Sequence, residues 1–262
     1  MAEIYPSPVP SEERLGNVIR RRRGAFREAT RESREIDYVA EFKRRYGDPT
    51  AYRPRERHAF SGRLFDRILG KPDVDKINTV GLETGLIKTI KASDGADLYL
   101  FKRMPRRGNF TTEEIENYSE FIGQNQGQNN PYNPQALFPK RALEALKAEL
   151  GIPYEDSSRA RYETCVGTAY DHSLGIDGYF VVDGEKISFD ITLKDEKPKK
   201  ADILITEEDI SLVHEMGLVP LSSYDIERAA LAEKALNQQM QSVARQMGEV
   251  YRARRQKVAV GE

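Results

Sequence analysis

The sequence is poor in the residues that build disulfide frameworks, metal clusters and membrane spans. It has one cysteine, three histidines and no tryptophan among 262 residues. The single cysteine, Cys165, excludes an internal disulfide bond and a cysteine cluster for structural zinc. No stretch approaches the roughly 20 apolar residues of a membrane span, and the first ten residues lack the apolar segment of a secretion signal. We therefore expect a soluble, cytoplasmic protein without a membrane partner.

Net charge is also nearly absent, because 41 Lys and Arg stand against 42 Asp and Glu. A balanced chain has no overall attraction to nucleic acid, so any basic surface must be local. Residues 1–70 are enriched, with sixteen Lys and Arg against eleven Asp and Glu. Two segments combine cations for phosphate contacts with, in the second, flanking aromatic residues that could stack on bases. Their cations are Arg20, Arg21, Arg22 and Arg23 in RRRRG, and Lys102, Arg103, Arg106 and Arg107 in FKRMPRRGNF. For the first segment, a solvated helix face beside glutamates is an equally good interpretation.

Hydrophobic periodicity and turn residues predict an α+β protein in four parts. Residues 1–122 form a basic, mainly helical region with a small β-hairpin around Ser93-Asp94-Gly95. Residues 123–135, GQNQGQNNPYNPQ, form a polar linker and the preferred domain boundary. Residues 136–222 form a core of helices and strands, and residues 223–262 a long C-terminal helix with an apolar seam of coiled-coil spacing. This helix either pairs with a second copy of the chain or packs on its own domain.

Within residues 136–222 the pattern predicts the order helix, strand, strand, strand, helix. A first helix covers PKRALEALKAEL. A second helix, capped by Ser157 or Ser158, carries Glu163 and ends at about Tyr170. A β-hairpin follows, then a short apolar strand at ADILI and a final helix.

The predicted hairpin is GIDGYFVVDGEKISFDITLK, Gly175 to Lys194, with alternating apolar runs on both sides of Asp183-Gly184. This dipeptide favours a two-residue type I′ turn, which pairs the residues before the turn with those after it in step. One face of the hairpin is then apolar nearly throughout. The other face is polar and places Asp177 directly opposite Asp190.

Two directly opposed carboxylates repel each other, since their Cβ atoms lie about 4.5 to 5.5 Å apart. Mg²⁺ or Mn²⁺ would offset that repulsion, because one or two carboxylates commonly hold such an ion beside water and phosphate oxygens. Aspartate is also depleted in strand interiors, where both acids lie. Glu163 on the preceding helix would add a third carboxylate. The alternative is an outward polar face on which the aspartates splay apart in water, with Glu163 an exposed residue near Arg159 or Arg161.

A helical glutamate, an aspartate at the start of one strand and a second acid near the end of the next resemble the PD-(D/E)xK nuclease superfamily. The resemblance covers about Ser157 to Gly217 and maps Glu163, Asp177 and Asp190 to the acids that bind Mg²⁺ or Mn²⁺ in that family. It implies a nuclease-like α-β-β-β-α core and metal-dependent hydrolysis of nucleic-acid phosphodiester bonds, with DNA as the expected partner. Such a nuclease, encoded by a phage or mobile element, would act in the host cytoplasm.

The chain departs from this family at the lysine expected two residues after the second acid, where Thr192 stands. Lys194 is the nearest replacement on the same face and would orient or deprotonate the attacking water, and Lys199 or Lys200 could take its place. Asp202 is a further candidate acid if the strand register differs. An inactive family member that only binds DNA agrees with the sequence equally well. The competing class is a non-catalytic nucleic-acid-binding protein or a viral structural or assembly protein.

The remaining candidates for chemistry are the histidines and the cysteine. His58, His172 and His214 are far apart and show no metal-ligand spacing. His172 is close enough in sequence to the predicted hairpin to assist, although a histidine at a helix end or loop is the simpler interpretation. Cys165 has no catalytic partner in the sequence pattern and is expected to be a small buried residue.

Overall fold

A four-stranded β-sheet lies at the centre of the fold in the computed structural model, which describes residues 36–47, 68–93, 95–103, 113–192, 201–206, 208–213 and 224–260. Its strands are adjacent in chain order: β3 (Ala160–Thr164), β4 (Gly178–Val182), β5 (Glu185–Thr192) and β6 (Ile203–Thr206). Strand β4 is antiparallel to both β3 and β5, and β6 runs parallel to β5. The sheet is therefore mixed, with β3 and β6 at its edges.

The hairpin of β4 and β5 forms as the sequence predicts. Asp183 and Gly184 have φ angles of 50° and 84°, and positive φ at both central residues is what a type I′ turn requires. The pairing runs in step from Val182 with Glu185 down to Gly178 with Phe189. Both the turn and this part of the register are confirmed.

One face of the sheet packs against two long helices, α4 (Leu137–Glu149) and α5 (Ile226–Val260). A short helix, α1 (Tyr38–Tyr46), packs on α5. The α5 helix begins where the Asp225 carboxylate accepts the backbone N–H of Arg228, an N-terminal cap. The core on this face includes Phe138, Leu146, Tyr162, Phe180, Ile187, Phe189, Leu236, Met240 and Val243. The apolar seam of α5 is thus buried against its own chain.

The opposite face is covered by elements from earlier in the chain and by a π-helical turn. These elements are α2 (Val74–Glu83), the hairpin of β1 (Ile87–Lys91) and β2 (Asp97–Phe101), α3 (Glu113–Gln124), and the π-helical turn Tyr170–Leu174. A second apolar cluster joins them to the sheet, including Ile77, Ile87, Phe101, Ile115, Ile122, Cys165, Tyr179 and Val181. The predicted hairpin near Ser93 and the predicted helix near residue 112 are confirmed, and both pack over the sheet.

The described residues confirm an α+β fold with a long C-terminal helix, but the predicted second helix of the core is wrong. Two short 3₁₀ turns occupy Tyr154–Arg159, and strand β3 follows in place of the helix. Tyr162 and Thr164 favour extended backbone, and Tyr162 faces Phe180 of β4 in the pairing. Sheet pairing and burial of the tyrosine therefore override the serine cap signal.

The segment 123–135, predicted as a linker between domains, lies against the outer edge of β3. The Gln126 side chain accepts the N–H of Thr164 at 2.8 Å and donates to its carbonyl at 3.2 Å. The carbonyl of Pro131 accepts the N–H of Tyr162 at 2.8 Å. These bonds satisfy the polar groups of an edge strand and block its pairing with another chain. Residues 38–262 form one compact unit that contains this segment.

Within the described ranges, no helix combines the length and the apolar composition needed to cross a bilayer.

Candidate functional site

The three predicted acids are all buried in the structure. Glu163 is 2% exposed, Asp177 8% and Asp190 1%. Burial of ionised carboxylates is costly unless a cation, a metal ion or several hydrogen-bond donors compensate them. Each acid therefore has to be accounted for through its partners.

Asp177 is bound to the strand that carries Asp190. Its N–H donates to the carbonyl of Phe189 at 3.0 Å, although Gly178 is already the register partner of Phe189. Two residues of one strand thus face one residue of the next, which is the pattern of a β-bulge. The N–H of Ile191 donates to Asp177 Oδ2 at 2.6 Å.

The bulge corrects the predicted direct opposition of Asp177 and Asp190. The regular pairing ends at Gly178 and Phe189, because the Asp177 carboxylate replaces a backbone carbonyl as the acceptor for Ile191. The carboxylate still lies beside the peptide that joins Asp190 to Ile191. The structure therefore brings the two acids to the same end of neighbouring strands, by a different arrangement.

Glu163 lies on β3 and not on a helix, which is a second correction to the predicted site. Its Oε1 accepts a hydrogen bond from Arg161 Nε at 2.8 Å. Its Oε2 is 3.4 Å from Lys186 Nζ. Lys186 in turn donates to Ser119 Oγ at 2.9 Å and lies 5.4 Å from the centroid of the Tyr179 ring. Two cations thus compensate one buried carboxylate.

Glu163 is separated from Asp190 by the width of strand β4, whereas Asp177 directly precedes β4 and its carbonyl accepts the N–H of Cys165 at 2.8 Å. In the register Glu163 pairs with Tyr179, which pairs with Ser188, so Glu163 and Ser188 are two strands apart. At about 4.8 Å per strand, their backbones lie about 10 Å from each other. Asp190 lies two residues further along β5. In the described part of the chain, no three His, Cys, Asp or Glu side chains converge on a position that could hold a metal ion.

The lysines proposed to replace the motif lysine lie outside the described residues, namely Lys194, Lys199 and Lys200. Thr192 ends β5 as a buried residue paired with Thr206. Asp202 has a structural role: Oδ2 accepts from the N–H and the hydroxyl of Ser188, and Oδ1 accepts from Arg254. Asp202 thus links the residues before β6 and the helix α5 to β5.

The predicted nucleic-acid-binding residues are only partly described. Arg20, Arg21, Arg22, Arg23, Arg106 and Arg107 lie outside the described residues, as do His58 and His214. Lys102 and Arg103 directly follow β2 and are exposed. Their exposure leaves them accessible to an anionic partner.

Cys165 and His172 have positions that explain them without catalysis. Cys165 is fully buried, and burial together with the negative charge of Glu163 raises the pKa of its thiol well above the usual range. The ring of His172 accepts the backbone N–H of Tyr99 at Nδ1, 3.1 Å away, and Ser173 Oγ accepts that of Phe101 at 3.0 Å. These two side chains attach β2 to the π-helical turn.

Arg161, Lys186 and Ser119 were not among the predicted site residues, although they surround Glu163. The period-two pattern of the hairpin does place Lys186 on the same face as Asp190. Arg161 and Glu163 share a face only once residues 160–164 are recognised as a strand. No pattern in the sequence connects Ser119, on α3, to either of them.

Comparison with known proteins adds no relative to this geometry. No protein-family model, curated protein or solved structure matches the chain significantly.

Proposed function

We propose that the protein is a metal-dependent nuclease whose acids are Asp177 and Asp190. The observation that carries this proposal is the 2.6 Å hydrogen bond from the Ile191 N–H to Asp177 Oδ2. It holds one carboxylate beside the residue that follows the other, at the same end of two adjacent strands. Two buried acids so placed form a natural site for a small divalent cation.

The donor set fits Mg²⁺ or Mn²⁺, which prefer oxygen ligands and are commonly held by one or two carboxylates. When bound, such an ion polarises a phosphoryl oxygen and lowers the pKa of a water molecule. Asp177 and Asp190 would hold the ion, and Lys194 would orient or deprotonate the water. Glu163 is not needed as a ligand, since Arg161 and Lys186 already compensate its charge.

The order of elements supports the same proposal. A helix, α4, precedes three antiparallel strands, and a fourth strand runs parallel to the third. Asp177 comes directly before β4, and Asp190 lies inside β5. This arrangement is similar to the nuclease-like core that the sequence predicts, with Glu163 moved from a helix to a strand.

A second candidate function is nucleic-acid binding without cleavage. The compensated charge of Glu163 favours it, because a family acid would then have lost its metal role. The buried Thr192 in place of the motif lysine points the same way. Both candidates share a nucleic-acid partner and differ only in turnover.

A cleavage assay separates the two candidates. The protein would be incubated with plasmid DNA, linear duplex, single-stranded DNA and RNA in Mg²⁺ or Mn²⁺, and with EDTA as the blank. The nuclease proposal expects metal-dependent cleavage that Asp190→Asn and Asp177→Asn abolish. An asparagine at 177 keeps an acceptor for the Ile191 N–H, so the bulge is preserved. Asp156→Asn, an exposed acid in the 3₁₀ segment, serves as the matched control with unchanged activity.

Absence of cleavage in every condition, together with salt-sensitive binding, would select the second candidate. Cleavage that persists in Asp190→Asn would overturn the assignment of the site. A calorimetric titration with Mn²⁺ on the wild type and Asp190→Asn tests the site independently. If Asp190 is a metal ligand, the heat of Mn²⁺ binding seen with the wild type is lost in the variant.

A further inference from the structure

Arg161 is a partly exposed cation that binds the buried carboxylate of Glu163. Its side chain is 32% exposed, and Nε is bound to Glu163. Among the described residues, its two terminal nitrogens have no partner. A guanidinium carries five N–H donors in a rigid fork. The described part of the chain thus uses one of these five donors, the Nε–H.

Glu163 orients this guanidinium through the hydrogen bond that it accepts from Arg161 Nε. The carboxylate is 2% exposed, and α3 lies so close that a Cβ atom on Gly123 would be 2.8 Å from it. A buried carboxylate that is closely packed on one side restricts the orientation of the arginine that it binds. An oriented guanidinium loses less conformational entropy when it binds a ligand than a free surface arginine does.

Lys186 adds a second cation to the same carboxylate. Its side chain is 26% exposed, and its ammonium group contacts Ser119 and Glu163. The ammonium has three donors, of which one is hydrogen-bonded to Ser119 among the described residues. Two cations and one carboxylate leave this cluster with one net positive charge. Arg161 of β3 and Lys186 of β5 face the same residue of β4, Val181, from its two sides.

We propose that Arg161 and Lys186 contact a backbone phosphate of the bound nucleic acid and that Glu163 is the positioning residue for both. The inference rests on the proposed function only for its partner, a nucleic acid. The planar fork of arginine matches two oxygens of one phosphate, and lysine contributes a point charge beside it. Phosphate contacts of this kind set position and affinity and carry no sequence information.

The test measures binding in EDTA, so that cleavage does not interfere. Fluorescence anisotropy with a labelled DNA duplex and with its single strand would be recorded over a series of salt concentrations. Arg161→Gln is expected to weaken binding about tenfold and to lower the salt slope by about 1, the loss of one phosphate contact. Arg245→Gln, the same change at an exposed site on α5, is the matched control and is expected to have little effect on either.

The variants of Glu163 test its positioning role with opposite signs. Glu163→Ala removes a negative charge, which by simple electrostatics would strengthen binding to DNA. We expect weaker binding instead, because Arg161 loses its fixed orientation. Glu163→Gln keeps an acceptor for Arg161 Nε, and its affinity for DNA is expected to equal or exceed that of the wild type. Circular dichroism at the assay temperature verifies that each variant is folded.

The inference is overturned if Arg161→Gln matches Arg245→Gln in affinity and salt slope, or if Glu163→Ala binds more tightly than the wild type. Its outcome is independent of the cleavage assay. A protein that binds DNA through Arg161 but does not cleave it retains the phosphate contact and loses only the nuclease proposal. Loss of cleavage in Glu163→Gln with unchanged binding would instead return Glu163 to the metal ligands.

Discussion

The two faces of the four-stranded sheet are both buried, but they are built from different chemistry. One face packs phenylalanine, tyrosine and aliphatic side chains against α4 and α5. The other carries the buried Glu163 and Asp190 and the partly exposed Lys186, and α2, α3 and the β1–β2 hairpin pack on it. A period-two pattern indicates which residues share a face, but it does not indicate what covers that face. The polar face therefore has to compensate its charges locally, whereas the apolar face needs only close packing.

The largest expected effect is on the apolar face. Phe180 is fully buried, with its ring centroid 5.3 Å from that of Tyr162 and 5.4 Å from that of Phe189. Phe180→Ala is expected to lower the free energy of unfolding by about 3–5 kcal/mol, because it removes apolar contacts and leaves a cavity. Urea unfolding followed by circular dichroism measures the change. A loss below about 1 kcal/mol would show that this face is not the main core.

The next effect concerns the buried charge on the polar face. Glu163→Ala leaves two cations without their carboxylate, but both are partly exposed and can turn to water. We expect a loss of about 2 kcal/mol, below the cost of breaking a fully buried ion pair. Glu249→Ala, at an exposed position of α5, is the control and should change the stability by less than about 0.5 kcal/mol. Urea unfolding measures both changes. Equal free energies of unfolding for Glu163→Ala and Glu249→Ala would contradict the ion pairs assigned to Glu163.

A glycine tests how closely α3 approaches the polar face. In an open helix Gly→Ala stabilises by about 1 kcal/mol. At Gly123 the added Cβ would lie 2.8 Å from the carboxylate of Glu163, so we expect a loss of about 1 kcal/mol instead. In the Glu163→Ala background the collision is absent, and the same substitution should become stabilising.

This double-mutant cycle has a matched control in the C-terminal helix α5. A Cβ on Gly248 would meet Glu149 Cγ at 3.0 Å and the terminal nitrogens of Arg252 at 3.3 Å, and both side chains are partly exposed, so they can shift by a few tenths of an ångström. Gly248→Ala should therefore be neutral or slightly stabilising, with no coupling to Glu163. Additivity between Gly123→Ala and Glu163→Ala within about 0.5 kcal/mol would contradict the close approach.

The sequence was sufficient for the features that depend on local spacing. Asp183-Gly184 determines the hairpin turn and its register, and the apolar seam of α5 predicts a long helix, although not its partner. The predicted helical position of Glu163 is wrong because a serine cap signal competes with β-forming residues over only five positions. Pairing of these residues with β4 makes them a strand. At the bulge, the Asp177 carboxylate replaces a backbone carbonyl as the acceptor for the Ile191 N–H. The period-two pattern of a strand gives no sign of such a replacement. The cover of the polar face comes from residues far away in the chain, and their packing is a tertiary property.

Asp183 offers an exposed counterpart to the buried Glu163. Its carboxylate accepts two hydrogen bonds from Arg159, at 2.8 and 2.9 Å, and one from the Tyr251 hydroxyl at 2.6 Å. The bonds from Arg159 and then from Tyr251 lower the pKa of Asp183 to about 2. They connect the turn between β4 and β5 to the C-terminal part of α5. Because this site lies in contact with solvent, its contribution is expected to stay below about 1 kcal/mol.

The smallest predicted effect is a pH dependence at this turn. Asp183→Asn keeps the turn, since asparagine tolerates positive φ and Asn-Gly favours the type I′ geometry. The folded-state pKa of about 2 lies below the ordinary value of 3.8, so the stabilising effect of the charge is complete above about pH 4 and disappears as the pH falls towards 2. The difference in urea midpoint between the wild type and Asp183→Asn should therefore be constant from pH 7 to 5, decrease below about pH 4 and become small as the pH falls through 2. Taking the difference cancels the titration of the other carboxylates, and a difference that stayed constant down to pH 2 would mean that the Asp183 charge does not stabilise the turn.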